Sequence, residues 1–315
     1  MSQRLTIFAS TWNNGLFILD DDGLVHELPN QPVRGLSHDA NGGVLASVDG
    51  NGLYQRTAKG IWRLLARCDG EISVTLSLAG EIYVGTDDAR VLVLDGDGNL
   101  RQIDHFDSID GRDSWFAGTA VVDGREVGPP LGIRSLHGAA DGLLFANVHV
   151  GGIPRSNNHG ATWEPTIDVN LDAHQVCVDA DNSSLVVAAS AMGLCISDDG
   201  GDTWKVQTEG LHATYCSAVE IVGDQVFVAA SDDHFASKGA IYRRTVGRQS
   251  EALVKVAGGL PDWLDGIVDT ACIASRLNQM AIVTASGSVY VSDDNGNAWH
   301  KREEVVPGVS SVCIL

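Results

Sequence analysis

The sequence predicts an all-β fold of seven four-stranded sheets, arranged as the blades of a closed propeller. Three observations predict it. Short β-branched runs recur between Gly-rich turns along the whole chain, with no long stretch of helical periodicity. A Gly or Ala anchors each presumed third strand, at Gly15, Gly52, Ala89, Gly152, Gly193, Gly239 and Gly287, so successive units lie 37, 37, 63, 41, 46 and 48 residues apart. That is the period of a propeller blade, with one interval inflated. Finally, the two ends complement each other. The first unit begins with a second strand, at 6–10, and the last residues, 309–315, form a first strand with nothing after it. Pairing them closes the ring and removes the exposed sheet edges of an open array. The expectation is one domain, residues 1–315, a seven-bladed β-propeller closed by the C-terminal strand joining the N-terminal blade.

The blades follow in order. First strands are expected at 33–37, 72–78, 133–136, 174–178, 215–221, 268–274 and 309–315. Second strands are expected at 6–10, 44–48, 82–86, 143–148, 185–190, 226–231 and 280–285. Fourth strands start near Leu24, Trp62, Leu100, Trp163, Trp204, Ala252 and Trp299. Three third-to-fourth-strand turns share one pattern. It is Ser197-Asp198-Asp199-Gly200-Gly201-Asp202-Thr203-Trp204, repeated at 156–163 with Asn158 and at 292–299 with Ala298. The third-position Asp or Asn can accept turn N–H groups, the Gly supplies a positive φ, and the Trp buries a large area as the next strand starts. Asp20-Asp21-Asp22-Gly23 and Asp95-Gly96-Asp97-Gly98-Asn99 read as worn versions of the same turn rather than calcium loops, since each lacks the distal Glu.

This Ser-x-Asp/Asn-x-Gly-x-x-Trp turn resembles the Asp-box, the BNR repeat of sialidase-like β-propellers. The resemblance covers the whole chain, with three specific boxes and four worn ones. The stretch 148–176 is similar to bacterial cytoplasmic propellers known only as BNR-repeat or glycosyl-hydrolase-like. Such folds include sialidases, xyloglucan-cleaving glycosidases, sortilin-type receptors and photosystem II assembly factors, so the resemblance implies a shape rather than a reaction. A sialidase would bring an early Phe-Arg-Ile-Pro motif and an arginine triad. The former is absent near the N-terminus, and Gly152-Ile153-Pro154-Arg155 is no substitute. Seven-bladed propellers also include a streptogramin lyase that uses a His and a divalent metal on the face opposite the box turns.

Composition narrows the partners. The net charge of −20, from 21 basic and 41 acidic residues, opposes nucleic acid and anionic membranes. No apolar run is long enough to span a bilayer, and the start reads as a strand rather than a signal peptide, so a cytoplasmic location is expected. The six Cys show no C-x-x-C pair and read as buried small hydrophobes.

The site is expected where the second-to-third-strand loops and the blade-to-blade connections share one face. His149, His174, His212 and His234 all fall there, and imidazoles from neighbouring blades could hold a single divalent transition metal, Zn, Cu, Fe or Mn. No nucleotide or organic cofactor is expected. Arg34 and Arg134 occupy equivalent places and could grip a carboxylate or phosphate, or else pair with nearby carboxylates. Trp12 and Trp263 are further substrate-binding candidates. Asp232 and Asp233 beside Tyr215 could supply acid/base chemistry, or form a solvated turn. The inflated interval, 104–132, lies on the same face and reads either as a lid or as a plain excursion. The sequence thus favours a metal-dependent enzyme of lyase, hydrolase or oxidase type acting on a small polar molecule. The alternatives are a non-catalytic assembly-factor scaffold and a metal-independent glycosidase with paired carboxylates. Oligomeric state is left open by the residues.

Overall fold

The computed structural model describes residues 5–116, 120–122, 125–127, 131–247 and 251–315. Seven antiparallel sheets form a seven-bladed β-propeller. Blade 1 is built from both ends of the chain, in the order Val309–Ile314, Ile7–Thr11, Leu16–Asp20, Gly23–Glu27. Ile7 pairs with Ile314 and Ala9 with Val312, as the complementary ends predict. The inner strands of blades 2 to 7 are Val33–His38, Ile72–Leu78, Ile133–Gly138, Ala173–Val178, Tyr215–Val222 and Ile273–Arg276.

Burial follows position in the blade. Second strands are sandwiched between neighbouring blades on both faces, so Ile7–Thr11, Val44–Val48, Leu144–Val148, Val186–Ser190 and Gln279–Val283 are buried at every residue. They therefore read as continuous apolar runs rather than alternating ones. Outermost strands such as His300–Val305 are largely exposed. The six Cys are free and buried.

The three matching turns make the same bonds. Ser156, Ser197 and Ser292 each accept on Oγ from the N–H of Gly160, Gly201 and Gly296, at 2.9, 2.8 and 3.0 Å. Asn158, Asp199 and Asp294 each accept on Oδ1 from the N–H four residues on, at 2.8 Å. The Thr203 hydroxyl and these N–H donors hold the Asp199 carboxyl down at about 2.

Two expectations are modified. Blade 4 has three strands, because the fourth shrinks to a single bridge between Arg155 and Glu164. In blade 7 the run 268–274 is not one strand. Ala271 takes a φ of 59° and the Asp269 carboxylate accepts from the Thr270 N–H at 2.7 Å, so the strand begins only at Ile273. Where it is described, the interval 104–132 carries short elements of its own. There are two 3-10 turns, Asp104–Ser108 and Arg112–Ser114; Phe106 in the first and Trp115, just after the second, are buried, and Phe106 meets Trp163 edge-on at 5.0 Å. A short hairpin, Ala120–Val122 with Arg125–Val127, follows. Residues 117–119, 123–124 and 128–130 of that interval lie outside the described residues.

At the end of the channel away from the loop-bearing face, Glu220 accepts from Ser275 at 3.2 Å, and His137 accepts on Nδ1 from the Val178 N–H at 3.2 Å. Desolvation pushes the Glu220 carboxyl up to about 7, more than the Ser275 bond lowers it. Below the ordinary glutamate range both folded and unfolded chains carry this proton. Between that range and about pH 7 only the folded chain does, so stability falls as pH rises through this window. Glu220→Gln should therefore raise stability by about 2 kcal/mol at pH 8, a value discounted for partial hydration, and change little at pH 4. Urea unfolding at the two pH values checks this, and an equal effect at both would exclude it.

Candidate metal centre

The channel is shaped by a β-bulge that recurs at one level of the ring. Register shifts occur between Ile72 and Val74, Ile133 and Ser135, Ala173 and Gln175, and Cys216 and Ala218. The pairing of Val309 and Ser311 with Thr11 and Ser10 shows the same shift in blade 1. Each leaves one unpaired residue: Ser73, Arg134, His174, Ser217 and Ser310. A bulged residue re-aims its side chain, and here it leaves the blade for the channel wall.

Most of these side chains are spent on the next blade. Ser310 donates to the Val33 carbonyl at 2.7 Å, Ser73 to Ile133 at 2.6 Å and Ser217 to Val268 at 2.5 Å. His174 Nδ1 lies 2.6 Å from the Cys216 carbonyl and must be the donor, because that oxygen can only accept. In blade 2 the shift falls one residue later, and Arg34 makes the link, to the Ile72 carbonyl at 2.9 Å. In blade 4 the link comes instead from Asn147 on the second strand, to Ala173 at 2.9 Å. Arg134 is thereby released from it.

A neutral His174 with its proton on Nδ1 presents a lone pair on Nε2. That atom lies 3.7 Å from Asp172 Oδ2, and His149 Nε2 lies 3.6 Å from Asp172 Oδ1. His149 follows the second strand of blade 4, its N–H bonded to the Gly132 carbonyl. Asp172 closes the 3-10 turn Val169–Leu171 in a left-handed conformation, φ 49°, which turns its carboxylate toward the imidazoles. One ligand atom from each of His149, Asp172 and His174 lies within 4.8 Å of the others, so the group could hold a metal ion. His149 Nδ1 and Asp172 Oδ1 are buried without a hydrogen-bond partner, the state of groups whose partner is an ion or ordered water. Burial, then the Arg134 charge, pushes His149 down to about 4. Burial alone would raise Asp172, but the neighbouring His174 and the Arg134 charge bring it below the ordinary range. At neutral pH the pair is an imidazole and a carboxylate, the protonation state that metal coordination requires.

The cluster opens into a cavity of about 1010 Å³ at the channel mouth. Tyr215 lies against His174, ring centres 4.7 Å apart, and burial pushes its hydroxyl pKa upward. His234, on an exposed loop, also faces the cavity, as do Trp12, Arg34 and Arg134. Arg34 is held by Asp87 at 3.0 Å and lies over Trp12. Arg134 has only longer contacts, 3.4 Å to Thr270 Oγ1 and 3.9 Å to Asp269. The two arginines are thus not equivalent.

Other expected residues stand apart. His212 is not in the cluster. Its Nδ1 is 2.8 Å from the Tyr242 hydroxyl and its ring packs on Trp263, so it belongs to a neighbouring surface group with Lys238 and Lys255. Trp263, Asp232 and Asp233 do not line the cavity. Asp233 accepts from the Phe235 N–H at 2.7 Å, a turn-forming role. Asp172 is the ligand candidate that sequence reasoning missed. Its one available signal was the Asp-x-His spacing with His174.

No family model matches the chain, and no curated protein matches it. Solved structures do. A GH74 enzyme from Niastella koreensis aligns over 93% of this chain with a TM-score of 0.61 and 15% identity, the chain spanning 46% of that enzyme's length. Apo AztD from Citrobacter koseri aligns over 99% of this chain and 98% of its own, with a TM-score of 0.61 and 12% identity. YCF48 bound to D1 peptide aligns over 96% and 86%, with a TM-score of 0.56 and 13% identity. At such identities the likeness is one of fold.

The unequal arginines give a direct test. Arg34→Met removes two partly buried hydrogen bonds and should cost about 1–3 kcal/mol of unfolding free energy. Arg134→Met should stay within about 0.5 kcal/mol of the parent. Urea unfolding of the two variants, if it showed equal losses, would place Arg134 in the framework after all.

Proposed function

We propose that this chain is a metal-dependent enzyme acting on a small polar molecule at the channel mouth, with His149, Asp172 and His174 as the protein ligands. The observation that carries this reading is the freed Nε2 of His174. Its Nδ1–H is committed to a backbone carbonyl, the arrangement that fixes tautomer and ring direction in metal-binding histidines. Two imidazoles and one carboxylate suit Zn, Fe or Mn better than calcium. Three ligands from one side of a cavity leave the other side for substrate, as catalytic sites do.

When bound, a divalent ion would supply Lewis-acid polarisation of a substrate oxygen or of a water. The protein supplies the rest. Tyr215 keeps its proton across the physiological range and can donate a hydrogen bond to a substrate oxygen. Arg134 orients an anionic group. His234, its ring centre 6.5 Å from that of Tyr215, faces the same cavity from its loop. Asp232, Asp233, His212 and Trp263 take no part in this reading. A glycosidase is less well supported, because among the described residues the carboxyl raised toward the general-acid range is Glu220, at the other end of the channel from this cavity.

Elemental analysis of protein purified without a histidine tag tests the proposal. About one equivalent of a transition metal is expected, with His149→Gln and Asp172→Asn each lowering affinity at least tenfold and leaving the unfolding midpoint of the metal-free protein in place. His174→Gln should lose the metal and also about 1 kcal/mol of stability, because it breaks the link to blade 6. No metal uptake after incubation with zinc, copper, iron and manganese would overturn the reading.

A further inference from the structure

We infer that the molecule received at this mouth is a carboxylate with an apolar or aromatic body, held by Arg134 at its charged end. This rests on the metal reading for the site's charge and deepens it by naming the substrate class. Charge is the first argument. The charged residues lining the cavity are Arg34, Arg134, Asp87, Asp172 and Asp269, besides the histidines. Arg34 and Asp87 cancel in a 3.0 Å ion pair. Arg134, Asp172 and Asp269 leave one net negative charge. A divalent ion turns that into one net positive charge, so the loaded site attracts a single negative charge and the empty one repels it.

The second argument is the availability of Arg134. In the other bulged strands the channel-facing side chain is consumed by the next blade, as Ser73, His174, Ser217 and Ser310 show. Arg134 alone among these bulged residues makes no such bond, because Asn147 does it. Its nearest partners are 3.4 Å and 3.9 Å away. A guanidinium left so loosely satisfied beside His149 and Asp172 is suited to bidentate capture of a carboxylate.

The third argument is the rim. Phe235 is 76% exposed, Phe116 52% and Trp12 48%, and all three line the same cavity. Large aromatics left in water around a polar floor mark a surface that is covered in use. With the apolar Val150 and Leu36 in the wall, they fit a hydrocarbon or aromatic body standing above a carboxylate.

The experiment is calorimetric titration of mandelate into the protein with and without one equivalent of zinc. Binding to the zinc-loaded protein is expected. It should weaken at least tenfold for mandelamide, which lacks the charge, and at least threefold for lactate, which lacks the ring. Arg134→Gln should reproduce the mandelamide loss without changing zinc affinity more than threefold, and Phe235→Ala should reproduce the lactate loss. Zinc uptake with no mandelate binding, or equal binding of mandelate and mandelamide, overturns this inference and leaves the metal reading standing. Mandelate binding that depends on Arg134 while no metal binds overturns the metal reading and the charge argument built on it, and leaves only the arginine contact standing.

Discussion

The ring depends on one repeated interaction, a side-chain hydrogen bond from each inner strand region to a backbone carbonyl of the next blade. Among the described residues it is made at six of the seven blade junctions, by Ser310, Arg34, Ser73, Asn147, His174 and Ser217 in turn. At the seventh the Val312 N–H meets the Ala271 carbonyl at 2.8 Å instead. Four of the carbonyls concerned, those of Ile72, Ile133, Ala173 and Cys216, lie beside a bulge. A buried carbonyl cannot be abandoned without cost. Ser73 and His174, bulged residues themselves, each fill a carbonyl beside the bulge of the next blade.

That economy explains how a site can arise in a symmetric frame. Where the bulged residue is serine, the hydroxyl is consumed and the channel wall stays small and inert. His174 has two ring nitrogens, so one can serve the frame while the other faces the cavity. Arg134 is excused by Asn147 and reaches the cavity whole. The chemistry concentrates at blades 4 and 5 because there the linking task is shared or delegated. Asp172 completes the group through a left-handed residue next to the same strand.

Much of the fold is legible in the sequence. The Gly and Ala anchors mark where third strands restart, and Gly15, Gly152 and Ala89 do take φ values of 76°, 76° and 56°. The complementary ends announce ring closure. The site is legible only in part. His149 and His174 could be placed on the correct face, because a second-strand end and a first-strand start meet there in any propeller. His212 could not be told from them, since its capture by Tyr242 comes from a separate strand of blade 6. Asp172 showed only as an Asp-x-His spacing, because its direction comes from a left-handed backbone torsion. The difference between Arg34 and Arg134 hides in a one-residue bulge, which inverts the period-two rule that sequence reading relies on.

The pairing of Ile7–Thr11 with Val309–Ile314 has one more consequence. Thr6 and Leu315 exchange backbone hydrogen bonds at 2.9 and 3.4 Å, so the two ends of the described chain lie side by side within one sheet. A ring joined in this way has no structurally privileged starting point. Linking these ends and opening the backbone at an exposed hairpin tip elsewhere would preserve every blade and junction. The His149, Asp172 and His174 group between blades 4 and 5 would be indifferent to such a rearrangement.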